Sequence, residues 1–276
     1  MNADKTLVSR RFEQALETYE GHAQVQALVA DALLRDVQRI LPDIHPSSAL
    51  EIGCCTGLMT EKIVAQHASL THLAVCDLVS SFQRCIYERS QAQGWQPQVS
   101  FLAGDIETLN LPKRYDLILS SSTLHWVHDF PRLTAKLGRH LNPGGVLAIS
   151  LYGPDNFEEI REITGTGLTY RSITELSDIL GQFFQLLLIK ERKEQLFFAD
   201  PLAVLRHLQA TGVNGLTKQV WSKGRLSDFA KEYTKRFSTA EGVVLTYHPL
   251  YFVATSPEVL HASLSSSANF KQCSTT

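Results

Sequence analysis

Ala49-Leu50-Glu51-Ile52-Gly53-Cys54-Cys55-Thr56-Gly57 concentrates the residue types with the most chemical meaning in this chain. A short apolar run enters a glycine-flanked turn, and Leu58, Ile63 and Val64 then repeat at helical spacing. Gly53 permits backbone to come close to a bound molecule, and Gly57 lets the next helix begin tight against the strand. Twenty positions beyond Gly57, Leu73-Ala74-Val75-Cys76-Asp77 reads as a second buried strand ending in an acid. That spacing puts a carboxylate on ribose hydroxyls in nucleotide folds. The turn is not G-x-G-x-x-G and lacks a third glycine, which argues against a pyrophosphate and so against NAD or FAD.

Such residues need a scaffold, and the rest of the chain supplies one. Val8, Phe12, Ala15, Leu16 and Tyr19 recur at helical spacing, predicting an amphipathic helix at the start. A second helix is expected from about Gln24 to Leu41, stopped by Pro42. Strands are expected at Ala49–Gly53, Leu73–Asp77, Val99–Gly104, Tyr115–Ser120 and Gly145–Leu151, with helical patterns between them. Their near-continuous apolar character suits parallel strands covered on both faces. Asn142-Pro143-Gly144-Gly145 signals a turn just before the fifth strand. Phe183–Ile189 and Val243–Ala254 read as two later strands, with helices near Pro201–Thr211 and Ser227–Phe237.

The fold class expected is α/β, a doubly wound, mostly parallel sheet of seven strands. Residues 1–45 would form a helical cap, 46–153 the cofactor-binding core, 154–255 lid elements and the last two strands, and 256–276 a mobile polar tail. Ligands of such sheets sit beyond the carboxyl ends of the strands, where strand order reverses. Gly53, Cys54, Asp77, Leu78, Gly104, Asp105 and Ser120 to Ser122 all fall there.

Composition narrows the class. The chain of 276 residues is 44% hydrophobic and 20% charged, with net charge −2, so no global charge favours nucleic acid or a membrane surface. Five cysteines without a regular framework fit a reducing compartment. With no apolar leader or run long enough to span a bilayer, a cytoplasmic protein is expected. The adjacent Cys54-Cys55 pair lacks metal-ligand spacing, so no metal is expected; no G-x-S-x-G or H-E-x-x-H motif suggests a hydrolase.

Glu51-x-Gly53…Gly57, Asp77, Gly104-Asp105-Ile106-Glu107 and Leu141-x-Pro143-Gly144-Gly145 resemble the class I S-adenosylmethionine-dependent methyltransferases, with their Rossmann-like fold. More closely, the chain resembles the malonyl-acyl-carrier-protein O-methyltransferases of biotin synthesis. Four motifs carry that likeness: Phe12-x-x-Ala15-x-x-x-Tyr19-x-x-His22-Ala23-x-x-Gln26, Asp105-Ile106-Glu107-x-Leu109-x-Leu111-Pro112, Ser121-x-x-x-His125-Trp126 and Leu245-Thr246-Tyr247-His248. Cys55 stands where that family usually has glycine, and His125 where glutamine is common.

The resemblance implies that Glu51, Gly53, Cys54 and Gly57 line the methionine part of S-adenosylmethionine. It puts Asp77 on the ribose, with Leu78 beside it, Asp105 and Ile106 about the adenine, and Ser120 and Ser121 at the fourth strand's end. It implies methyl transfer to the free carboxylate of a malonyl thioester, leaving S-adenosylhomocysteine. A carboxylate is already ionised at neutral pH, so the enzyme must supply placement and dehydration rather than a base. Tyr19 and Tyr170 are the candidates to exclude water and orient the acid, with Trp126 as a wall and His125 facing the methyl group. Tyr247-His248 reads as a structural marker of the last strand.

The implied partner is malonyl-acyl carrier protein. Residues 201–240 carry Arg206, Lys218, Lys223, Arg225, Lys231, Lys235 and Arg236 against Asp228 and Glu232, a basic face able to attract an acidic carrier. Two other readings remain open: a methyltransferase for another small acid, and a cofactor-binding assembly or modification factor on the same scaffold.

Overall fold

The computed structural model describes residues 4–213 and 222–256. Asp4 caps α1 (Lys5–Gln14), its carboxylate accepting from the Thr6 and Leu7 amides. The helical spacing from Val8 to Tyr19 resolves into two pieces, because α1 stops at Gln14 and Tyr19 opens a one-turn α2 (Tyr19–His22). Between them the Thr18 hydroxyl reaches the carbonyls of Ala15, at 3.1 Å, and Ala210, at 3.0 Å. α3 (Gln24–Ile40) follows and buries Val29, Leu33 and Val37.

Alternating units then run through β1 (Ser48–Ile52), α4 (Leu58–Gln66), β2 (His72–Asp77), α5 (Phe82–Gln93), β3 (Gln98–Ala103), β4 (Tyr115–Ser121), a 3-10 turn (Leu124–Trp126), α6 (Phe130–Arg139) and β5 (Leu141–Tyr152). The later part comprises α7 (Glu158–Thr164), α8 (Ile173–Gly181), β6 (Gln185–Glu191), β7 (Glu194–Phe198), α9 (Pro201–Ala210), α10 (Lys223–Phe237), β8 (Ser238–Thr239), β9 (Gly242–Tyr247) and β10 (Pro249–Thr255).

The main sheet has seven strands in the order β3-β2-β1-β4-β5-β10-β6. β1 to β5 are mutually parallel, and β10 runs antiparallel to both neighbours. Alternation along each strand divides the apolar side chains between two helical layers. Ala49, Val75, Leu117 and Leu119 pack with α3 and α4, while Leu50, Ile52, Ala74 and Ile118 pack with α6 and α8. Strand order reverses between β1 and β4, opening a crevice beyond their carboxyl ends.

Two expectations need correction. The run Val243–Ala254 is two strands, not one: β9 pairs with β7 and β8 in a separate antiparallel sheet, and β10 joins the main one. His248 makes the break; its amide donates to Asn156 and its carbonyl accepts from Gly153 at 2.8 Å, leaving the ladder between strands. Both halves are buried, so apolar patterning runs through the joint unbroken. The Asn142–Gly145 segment lies inside β5 rather than ahead of it, as a slip in the β4–β5 register with Gly144 at φ +76°. The polar tail expected from 256 onward lies, past its first residue, outside the described residues, as does Lys218.

Candidate active site

The crevice is lined from the carboxyl ends of β1, β2, β3 and β4 and roofed by α1 and Tyr19. At its centre Asp77 ends β2, with Oδ2 accepting from the Cys55 amide and Oδ1 from that of Val79, both at 2.9 Å. One carboxylate thus holds the turn after β1 and still faces the crevice. Burial raises its pKa to about 6, the two amides and that of Leu78 opposing the rise. Glu51, on β1, is also buried and is pushed up to about 8 by loss of solvent, against the Thr60 hydroxyl that donates to it at 2.6 Å. Nearby Asp77 raises it further.

Gly53 is required by its neighbours as much as by any ligand. It has φ +79°, and a Cβ there would lie 2.1 Å from Thr123 Oγ1. Thr123, which follows β4, therefore occupies space that the glycine was expected to leave for a bound molecule. Gly57, at φ +97°, starts α4 close to Ile86 and is not part of the crevice wall. Cys55 adopts φ +47°, and Ser122 φ +54°; two non-glycine residues in left-handed backbone meet at the same crevice.

At the end formed by β3, Leu78, Asp105 and Ile106 line the wall. Lys5 of α1 donates to both Asp105 oxygens, at 2.8 and 2.7 Å, and also pairs with Glu107. Glu107 in turn accepts from the His128 and Asp129 amides. Lys5 is the one basic side chain among the described residues of this wall.

The opposite end is aromatic. The Phe12 ring stands 6.2 Å from Tyr19 and edge-on to Trp126 at 6.3 Å, and all three line the crevice. His125 sits behind Trp126, with ring centres 4.8 Å from Trp126 and 5.0 Å from Tyr152. Its Nδ1 is buried without a hydrogen-bond partner, and burial drives its pKa down to about 3, so the ring is neutral. Tyr170 lies 6.2 Å from His125, its hydroxyl accepting from Asn156 Nδ2 at 2.9 Å, outside the crevice wall. Ser121 lines the crevice, whereas Ser120 turns inward and donates to the Ile52 carbonyl at 2.9 Å, tying β4 to β1.

A smaller cavity adjoins through Tyr19, Gly53 and Ser121, and Glu51 and Cys54 line it. Gln26 of α3 and Thr56 line it too; both amide atoms of Gln26 and the Thr56 hydroxyl are buried without a bonding partner. The Gln26 amide lies alongside the buried Tyr247 hydroxyl, which is bonded to His207 at 2.8 Å. Lys5, Val8, Phe12, Thr123 and Gln26 were not singled out from sequence as site residues. Phe12 and Gln26 stand at fixed offsets from Tyr19 in one motif, the signal that was available for them. Among the described residues no group of three or more His, Cys, Asp or Glu gathers as a metal site.

Comparison with known proteins agrees with this architecture. Residues 50–149 match the family of methyltransferase domains. A candidate methyltransferase structure from Bacillus halodurans superposes with a TM-score of 0.59 at 17% identity, covering 82% of this chain and 98% of that one. The sheet order and crevice are those of the class I methyltransferase fold. The malonyl-[acyl-carrier protein] O-methyltransferase of Chlorobium luteolum is 38% identical over 251 residues, covering 90% of this chain and 94% of the relative. That of Bacteroides thetaiotaomicron is 35% identical, covering 93% and 100%. The chain belongs to the malonyl-[acyl-carrier protein] O-methyltransferase family.

Proposed function

We propose that this protein transfers a methyl group from S-adenosylmethionine to the free carboxylate of malonyl-acyl carrier protein, forming the methyl ester that begins pimeloyl synthesis for biotin. One observation carries the reading: part-buried Asp77 on the crevice wall and fully buried Glu51 in the adjoining cavity stand together, while the other end of the crevice is walled by Phe12, Tyr19 and Trp126. Lys5, the one basic side chain on the crevice wall among the described residues, is committed to Asp105 and Glu107. Buried acids without a counter-charge favour a cationic ligand. A sulfonium nucleoside bearing an ammonium group has that charge.

The residues fit each part of it. Asp77 retains acceptor capacity for ribose hydroxyls beyond the two amides it holds. Thr56, and Gln26 beside the Tyr247 hydroxyl, offer donors, and Glu51 an acceptor, to an amino-acid head in the smaller cavity. Asp105 would exchange part of its contact with Lys5 for the adenine amine. When bound, the cofactor supplies an electrophilic methyl group, which a carboxylate oxygen takes as the carbon–sulfur bond breaks and no proton moves. The chain's task is to bring anion and cation together in line while excluding water. Tyr19, Phe12 and Trp126 form the apolar enclosure; Tyr19 adds a hydroxyl, and neutral His125 an N–H donor in one tautomer, for the incoming carboxylate. Burial keeps the Tyr19 phenol protonated. Tyr170 supports His125 through ring contact.

On the partner side, Lys223, Arg225, Lys231 and Lys235 are exposed basic side chains on α10, suited to an acidic carrier. The reaction is tested by incubating malonyl carrier protein with enzyme and S-adenosylmethionine and weighing the carrier. A gain of one methyl group in place of hydrogen is expected; an unchanged mass with calorimetrically verified cofactor binding would reject the reading.

A further inference from the structure

A groove separate from the cofactor crevice lies between the end of α1 and α9. Arg11, Gln14 and Thr18 line one wall, and Arg206, Gln209 and Ala210 the other. Arg11 and Gln14 share one face of α1, and Arg206 shares a face of α9 with Gln209 and Ala210; Thr18, in the turn after α1, completes the first wall. The seam is closed by the Thr18 hydroxyl on the Ala210 carbonyl at 3.0 Å. It is also tight at Gly212, where an added Cβ would come within 3.1 Å of the Phe12 Cα.

The lining is cationic and hydrogen-bonding, with two guanidiniums, two amides and a hydroxyl and no carboxylate among its residues. Arg11 Nε is buried and lacks a partner. Arg206 pairs with Asp200 at 3.8 Å and is largely exposed. Two forked donors with amides between them suit a tetrahedral oxyanion.

The N-terminal segment lies between the groove and the reaction end of the crevice. Arg11 precedes Phe12 and Thr18 precedes Tyr19, so one stripe of the N-terminal segment faces the methyl-transfer chamber while a different stripe faces the groove. We propose that this groove seats the phosphodiester of the carrier protein's phosphopantetheine arm, anchoring the arm while its malonyl end reaches past Phe12. This rests on the malonyl-carrier reading above. It assigns Arg11 and Arg206 as positioning residues for the arm's own anion, apart from the reacting carboxylate.

Steady-state kinetics of Arg11→Gln, Arg206→Gln and the double variant test it on two substrates. One is malonyl carrier protein; the other is malonyl-N-acetylcysteamine, which keeps the thioester end and has no phosphate. Each arginine removed is expected to lower kcat/KM for the carrier about tenfold, through KM, with turnover of the phosphate-free thioester unchanged. Arg206→Lys should recover part of the loss. Equal losses on both substrates, or none on either, would overturn the groove assignment while leaving the reaction standing. Failure of the unsubstituted enzyme to methylate either thioester would instead remove the reaction, and the groove's role with it.

Discussion

At the scale of single residues, the chemistry of the crevice turns on charge withheld from water. Asp77 is an acceptor whose pKa, about 6, lies above the ordinary carboxylate range. Two consequences follow from the sign of that shift. Folding holds the Asp77 proton more tightly than the unfolded chain does, so its stability contribution is full below pH ~4 and is lost as pH rises through about 6. On the proposed reading, cofactor affinity runs the other way, because ribose hydroxyls bound at Asp77 would need the ionised acceptor. Titration calorimetry with S-adenosylhomocysteine is expected to show affinity rising between pH 5 and 7.5. Asp77→Asn should weaken binding by roughly tenfold to a hundredfold and flatten that dependence. An unaltered pH profile in the variant would take the ribose contact away from Asp77.

At the scale of elements, α1 is a strap. Val8 and Phe12 close the crevice from above, and Lys5 fastens the helix to the loop after β3 through Asp105 and Glu107. The contact is largely shielded, so it is worth more than a surface pair. Lys5→Met releases the strap and leaves Glu107 with only the His128 and Asp129 amides. Stopped-flow displacement of bound S-adenosylhomocysteine should show release accelerated by about threefold to tenfold, with the thermal midpoint lowered as the two carboxylates lose their partner. Release at the original rate would mean that α1 does not gate the site.

At the scale of the molecule, two sheets must hold one another in place. Glu159 on α7 is buried and accepts from both the amide of Thr246, at 3.0 Å, and its hydroxyl, at 2.5 Å. This pair docks β9, and so the smaller sheet, against the core that carries Tyr152 and Phe157; Tyr247 packs on both rings. Glu159→Ala strands two buried polar groups and is expected to cost about 2–4 kcal/mol in urea unfolding. Glu159→Gln, which keeps one acceptor, should cost less. Equal stability of the alanine variant and the parent would show the joint to be dispensable.

Local chemistry made the catalytic half of this chain legible from its residues. Apolar runs buried on both faces marked five parallel strands, and the Gly53–Gly57 turn with Asp77 twenty positions on marked the crevice, because backbone sterics and strand length act over short spans. Contacts between distant segments were not legible. Lys5 meets Asp105 across a hundred positions, Thr123 fills the space above Gly53, and His248 divides two strands that share one unbroken apolar pattern. Each depends on which surfaces the folded sheets bring together, and hydrophobic periodicity carries no record of partners so far apart in the chain. Sequence alone therefore determined the class of fold and which strand ends line its crevice. The tertiary structure decided which helix roofs the site, which carboxylates lack a counter-ion, and which arginines face one groove.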